Sequence, residues 1–155
     1  MLISAYILIA LLGIAAIFDL FSRRVPNYWT GIGAGIGMAA PWLGGYGVSL
    51  ASAYLGGVLA FSIFLFPYLL GWMGAGDVKL FGTAGLFLGL ERVVTTALFI
   101  ALAGGVLAVL YLAMRVFNFL IYRNMQSKVK EDNGLPYAVA IFIGTSWSLF
   151  GGEII

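Results

Sequence analysis

The chain has 155 residues, of which 63% are hydrophobic and 9% charged, and its formal net charge is +2. A soluble domain is about 45–50% apolar and about 25% charged, and a fold of this size could not hide such an excess of apolar surface from water. The composition therefore predicts one integral-membrane domain over residues 1–155. The small net charge gives no reason to expect a nucleic-acid partner.

Six apolar segments follow one another along the chain, and they predict six transmembrane helices, because a helix needs about 20 apolar residues to cross the hydrocarbon. Their continuous apolar character differs from the alternation of membrane-barrel strands, so the expected fold class is all-α. The first segment lacks a basic start and is predicted to be a retained helix. Pro67 should kink or end the third, and the run 116–121 predicts that the fifth continues or bends onto the membrane surface. The predicted spans are 2–18, 28–46, 48–72, 78–90, 93–114 and 135–152.

The lysines and arginines indicate how these spans are oriented, because basic loops tend to stay in the cytoplasm. Six spans place the loops 19–27, 73–79 and 115–134 on one side, and these loops hold seven of the eight basic residues. Only Arg92, in a short predicted turn with Glu91, lies on the opposite side. We therefore predict that the three charged loops face the cytoplasm and that both termini lie outside it.

The sequence contains no cysteine and no histidine. Disulfides, thiolate zinc sites and cysteine nucleophiles are thereby excluded, and so are Ser-His pairs and imidazole metal ligands. We expect no metal and no cofactor. Any chemistry must come from carboxylates, lysines, arginines and hydroxyl groups.

Two of the six acidic residues stand at predicted membrane boundaries, Asp19 at the end of the first helix and Asp77 at the start of the fourth. The predicted topology places both on the cytoplasmic side, where they can face each other. An ionisable residue at membrane depth is costly and points to function, although a boundary carboxylate can also be merely hydrated, or favoured by a helix dipole. The 14 residues 77–90 give about 21 Å of helix, short for a hydrocarbon of about 30 Å. Either the bilayer thins around this helix or one end of the helix lies below the surface, and if that is the Asp77 end the carboxylate is recessed.

The run Gly74-Ala75-Gly76 before Asp77 gives a flexible approach with few side chains, which another chain can approach closely. Two carboxylates held close together share one proton. One of them can then activate water as a base while the other protonates the carbonyl oxygen or the leaving amine. The alternative is a proton-coupled small transporter with Asp77 as its titrating site, but no clear duplication of the kind common in transporters is visible.

Three segments of the chain, taken together, resemble the type IV prepilin peptidase family of GxGD-type aspartyl proteases. They are DLFSRRVPN at 19–27, GAGDVK at 74–79 and LPYAVAI at 135–141. The resemblance covers essentially the whole chain. It implies an endopeptidase that removes a short basic leader from prepilin or pseudopilin substrates of type IV pilus systems, at the cytoplasmic face of a prokaryotic inner membrane.

The same resemblance assigns roles to individual residues. It implies that Asp19 and Asp77 are catalytic and that Gly74 and Gly76 are the motif glycines. Long bifunctional members carry a cysteine-rich zinc segment between the first two helices and also N-methylate the new terminus with S-adenosylmethionine. Here that connection is only 19–27 and has no cysteine, so we expect the short form without methyltransferase activity.

Five further motif residues carry weaker expectations. Lys79 lies two positions past the motif aspartate, about 200° around a helix; we interpret it as a topology anchor, with a role near the aspartates or in lipid contact as the alternative. Pro26 and Asn27 are predicted to set the start of the second helix, and Pro136 that of the sixth. Tyr137 could instead line the catalytic pocket.

Glycines are frequent inside the apolar segments. In lipid, small residues let helix backbones approach closely, so we interpret the glycine pairs as packing positions. The alternative is a smooth face on which a substrate helix lies. The residues concerned are Gly31, Gly33, Gly35, Gly37, Gly56, Gly57, Gly104 and Gly105.

Overall fold

The computed structural model describes residues 2–22, 25–42, 48–121 and 137–151, and within these ranges every regular element is a helix. The predicted all-α class is therefore confirmed. The helices are α1 (Leu2–Ser22), α2 (Asn27–Ala39), α3 (Leu50–Leu69), α4 (Ala75–Ile121) and α5 (Tyr137–Phe150).

The outer surface of the bundle is apolar, and large side chains such as Val58 and Val109 are 65% and 68% exposed. So extensive an apolar surface suits lipid and not water. Among the described residues, three helices are long and apolar enough to cross a membrane, namely Ile3–Ser22, Leu50–Leu69 and Ala75–Phe117. The other two are shorter, with 13 residues in α2 and 14 in α5. Membrane character is confirmed, whereas three helices and not six meet the length expected of a span.

The helix bounds depart from the predicted spans at the end of α1 and at the end of α2. The apolar residues after Asp19 let α1 continue to Ser22, so Asp19 lies one turn inside the helix and does not end it. The second span was predicted to run to residue 46, but α2 ends at Ala39. By contrast α3 ends two residues after Pro67, close to the predicted break.

The fourth and fifth predicted spans form one long element, α4, which is interrupted at Gly89. This residue has φ 69° and ψ 170°, a combination that essentially only glycine adopts. After this break the N–H of Leu90 donates to the hydroxyl of Ser52 on α3, at 3.0 Å. The predicted turn at Glu91 and Arg92 is therefore wrong, because a single residue kinks the chain and both side chains lie in helix. We refer to the two segments as α4a (75–88) and α4b (90–121). Because α4b extends to residue 121, the prediction that the fifth helix continues past residue 114 is confirmed.

The element α4 lies at the centre of the bundle and packs against the other four helices. Where α3 meets α4a, a Cβ on Gly56 would lie 2.6 Å from the carbonyl oxygen of Gly85. Such a contact is too short for any residue with a side chain, so this position requires glycine. A Cβ on Gly37 of α2 would lie 2.8 Å from an aromatic ring of α4a. These glycines confirm the packing interpretation. Gly31 and Gly35, also on α2, face open space instead.

Replacing Gly89 by alanine should destabilise the protein, because the new Cβ enforces strain at this φ and would lie 2.7 Å from Val48. We expect a loss of about 1–3 kcal/mol in the free energy of unfolding, measured by reversible denaturation in mixed micelles. Gly105→Ala is the matched control, since Gly105 is helical with open space around it. Equal stability of the two variants would contradict the assignment of Gly89 as a required break.

Candidate active site

Asp19 is a nearly buried carboxylate on α1, with 8% of its surface exposed. Its Oδ2 accepts a hydrogen bond from the backbone N–H of Ala138 at 3.1 Å. Ala138 is the second residue of α5, and the first N–H groups of a helix have no acceptor within that helix. The carboxylate thus satisfies one of these groups, and the positive end of the α5 dipole favours its negative charge.

Asp77 is partly buried and lies in the first turn of α4a. Its Oδ2 accepts from the backbone N–H of Gly74 at 3.2 Å, and its own N–H donates to the Gly74 carbonyl at 3.1 Å. A Cβ on Gly74 would lie 3.3 Å from the same Oδ2, so glycine leaves room beside the carboxylate. At Gly76 an added Cβ would lie 3.6 Å from that of Val25, which packs the segment before α2 against the motif.

The carboxylates of Asp19 and Asp77 are close enough to interact electrostatically. The structure therefore brings α1, α4a and the start of α5 together at one end of the bundle. Tyr137 belongs to the same cluster, because its hydroxyl also lies within electrostatic range of Asp77. The Tyr137 ring meets that of Phe64 edge-on, with centroids 6.1 Å apart, so an aromatic wall stands beside the two carboxylates.

A second polar pair lies at this end, on the other side of α4a. The ammonium group of Lys79 donates to Oδ1 of Asn27 at 3.0 Å, and both residues are exposed. Pro26 stands at the N-cap of α2 with φ −62°, and its carbonyl accepts from the N–H of Trp29 at 3.0 Å. The pairing of Lys79 with Asn27 was not predicted, because the two residues lie on different helices and no local motif joins them. Pro136 lies outside the described residues.

Polar contacts with α1 and α4a hold α2 in place beside the site. The indole N–H of Trp29 donates to the carbonyl of Leu11 on α1 at 3.1 Å. The hydroxyl of Thr83 on α4a lies 2.9 Å from the carbonyl oxygen of Lys79 and 3.4 Å from that of Thr30 on α2. The Trp29 bond ties α2 to α1, and the Thr83 hydroxyl, whose shorter bond stays within α4a, contacts α2 at Thr30. These contacts position α2, and with it Asn27, between its two neighbours.

Both aspartates were predicted as site residues from the sequence, but Ala138 was not predicted as the hydrogen-bond donor to Asp19. A backbone donor has no side-chain signature, and only the placement of α5 shows its role. Within the described ranges there is no group of three or more acidic residues that could hold a metal ion. What this site offers chemically is two carboxyl groups within electrostatic range of each other, both of which accept a hydrogen bond from a backbone N–H.

An apolar helical bundle with two aspartates together at one end has the arrangement of an aspartic-type membrane protease. The chain belongs to the type IV leader peptidase family, because the profile of that family matches residues 6–109, about two thirds of its length. The resemblance drawn from the three motifs is thereby confirmed, and membership implies a leader-peptidase function in general terms. No curated protein and no solved structure matches the chain. Both aspartates lie within the matched range, whereas Ala138 and the rest of α5 lie beyond it.

The contact between Asp19 and α5 should be visible in stability. In Asp19→Ala the buried N–H of Ala138 loses its acceptor, whereas in Asp19→Asn the amide oxygen can still accept. We expect the free energy of unfolding of the alanine variant to be about 1–3 kcal/mol lower than that of the asparagine variant, measured by reversible denaturation in mixed micelles. The Asp77 pair of variants is the control and should differ less, because the N–H of Gly74 is exposed and water can replace the lost acceptor. Equal stability of the two Asp19 variants would contradict the inferred role.

Proposed function

We propose that this protein is a membrane aspartic endopeptidase that removes the basic leader of prepilin or pseudopilin substrates. The observation that carries the proposal is that Asp19 and Asp77, which come from separate helices, lie within electrostatic range of each other at one end of the bundle. Family membership supports the leader-peptidase activity. The composition supports the carboxylate chemistry, because the chain has no cysteine or histidine to act as nucleophile or base.

The proposed reaction is a general acid–base hydrolysis. One carboxylate takes a proton from a water molecule, whose oxygen bonds to the scissile carbonyl carbon, while the other carboxyl group protonates the carbonyl oxygen. The resulting intermediate collapses, the C–N bond breaks, and the leaving amine receives a proton. The products are a leader with a free carboxylate and a mature chain with a new amino terminus. Backbone N–H groups at Gly74 and Ala138 hold the two carboxyl groups in place.

The proposed orientation puts this site at the cytoplasmic face of a prokaryotic cytoplasmic membrane. Six helical segments, with α4a and α4b counted separately, would cross the bilayer and leave both termini outside. The site unites the end of α1 with the starts of α2, α4a and α5, and an even number of crossings separates those points along the chain. The basic loops predicted to be cytoplasmic join the same helix ends, which supports this orientation.

Both aspartates should be essential for cleavage. In Asp19→Asn and in Asp77→Asn the amide cannot exchange protons as a carboxyl group does, so we expect the rate to fall by a factor of about 10²–10⁴ or more. The measurement is leader removal from a purified pilin precursor by the enzyme in liposomes, followed by gel mobility and mass spectrometry.

Glu91→Gln is the matched control, because Glu91 is an exposed carboxylate on α4b at a distance from the site. It should cleave at close to the wild-type rate. Wild-type cleavage by either aspartate variant would refute the two-carboxylate mechanism. Absence of cleavage by the unmodified enzyme would refute the proposed function itself.

A further inference from the structure

A groove of about 530 Å³ runs along the outside of the bundle between α2 and α3, with α4a as its floor. The two wall helices both pack on α4 but have almost no contact with each other. Each helix lines the groove with residues at helical spacing, over 27–38, 54–61 and 79–86. Such a strip recurs on one face of a helix, so the groove follows the helix axes for about 10–16 Å.

We propose that this groove binds the apolar transmembrane helix of the substrate, an inference that rests on the proposed function. The shape fits such an occupant, because the groove is as long as two to three helical turns and opens sideways to the surrounding lipid. On the α2 wall, a second helix can approach the backbone closely at Gly31, which has open space where a Cβ would stand. A helix that lies there buries the apolar walls, of which Val58 and Phe61 are 65% and 42% exposed.

One end of the groove lies at the same end of α4a as the candidate active site. Lys79 and Asn27 line that end, and Lys79 stands two residues after Asp77. Two residues turn a helix by about 200°, so the groove and the carboxylate lie on opposite sides of the start of α4a. A substrate chain must therefore cross that start, about 10 Å, which takes about three extended residues. The glycine-rich run before Asp77 offers few side chains to obstruct this crossing.

The distribution of charge matches a substrate that has a basic leader at one end of an apolar helix. Among the residues that line the groove, Lys79 alone is charged, and its positive charge disfavours a basic leader there. The carboxylates of Asp19 and Asp77, beyond the start of α4a, attract the leader instead. A precursor with a basic leader followed by an apolar helix is thus oriented with its helix in the groove and its junction at the carboxylates.

Cysteine crosslinking tests the proposal directly, because the chain has no cysteine of its own. The probe is a purified pilin precursor with one cysteine in its apolar helix, in liposomes with the enzyme and a short bifunctional thiol reagent. Gly31→Cys and Val58→Cys should crosslink at least about tenfold more than Ile32→Cys and Leu55→Cys. Each control is on the same helix as its partner, is 51% or 54% exposed, and does not line the groove.

The two hypotheses fail separately in this experiment. If the wild-type enzyme removes the leader but positions 31 and 58 crosslink no better than their controls, the groove proposal is overturned and the function stands. A groove filled by lipid gives that same result. If crosslinking is selective but no leader is removed, the groove binds the helix and the proposed function is wrong. If neither occurs, both are wrong.

Kinetics give a second and independent reading. Gly31→Leu fills the groove beside α2, so we expect KM for a precursor with its helix to rise about tenfold or more, with kcat changed much less. Gly105→Leu introduces the same side chain at another open helical glycine outside the groove and should leave KM within about twofold. Equal KM values for the two variants would overturn the proposal.

Discussion

A carboxylate inside an apolar bundle is stable only where polar groups face it, and this requirement shapes the end of the molecule that holds Asp19 and Asp77. Both find their partner in a backbone N–H near the start of a helix, Ala138 for Asp19 and Gly74 for Asp77. Such N–H groups are unpaired within the helix, and the helix dipole adds to their attraction for negative charge. Two helix starts therefore stabilise two acidic groups that interact with each other.

The position of α5 is central to this arrangement. It runs antiparallel to α1, since its start meets Asp19 while Phe150 near its end packs against Tyr6, with ring centroids 6.2 Å apart. It also lies very close to α4b, where a Cβ on Gly144 would be 2.5 Å from the backbone of Ile100. Close packing on both sides leaves the first turn of α5 little freedom, and this fixes the donor that Asp19 requires.

The sequence was sufficient for the helical class, the end of α3 near Pro67 and the family, because long apolar runs and contiguous motifs are local signals. It placed the break in α4 wrongly, at the charged pair Glu91 and Arg92, since charge is the usual mark of a membrane boundary. The structure breaks at Gly89, where a positive φ and the hydroxyl of Ser52 take the place of a loop. Contacts between helices, such as that of Lys79 with Asn27, left no trace in any single segment.

The glycines of α2 show why such a pattern does not assign roles by itself. Gly33 and Gly37 pack on α4a, where an added Cβ would lie 3.0 and 2.8 Å from side chains, whereas Gly31 and Gly35 pack on nothing. Both pairs have the same spacing of four. Glycine inside a helix costs about 0.5–1 kcal/mol relative to alanine, and close packing offsets that cost only for the first pair. At Gly31 no described residue packs closely enough to offset this cost, which favours a helix of another chain as the partner that approaches it.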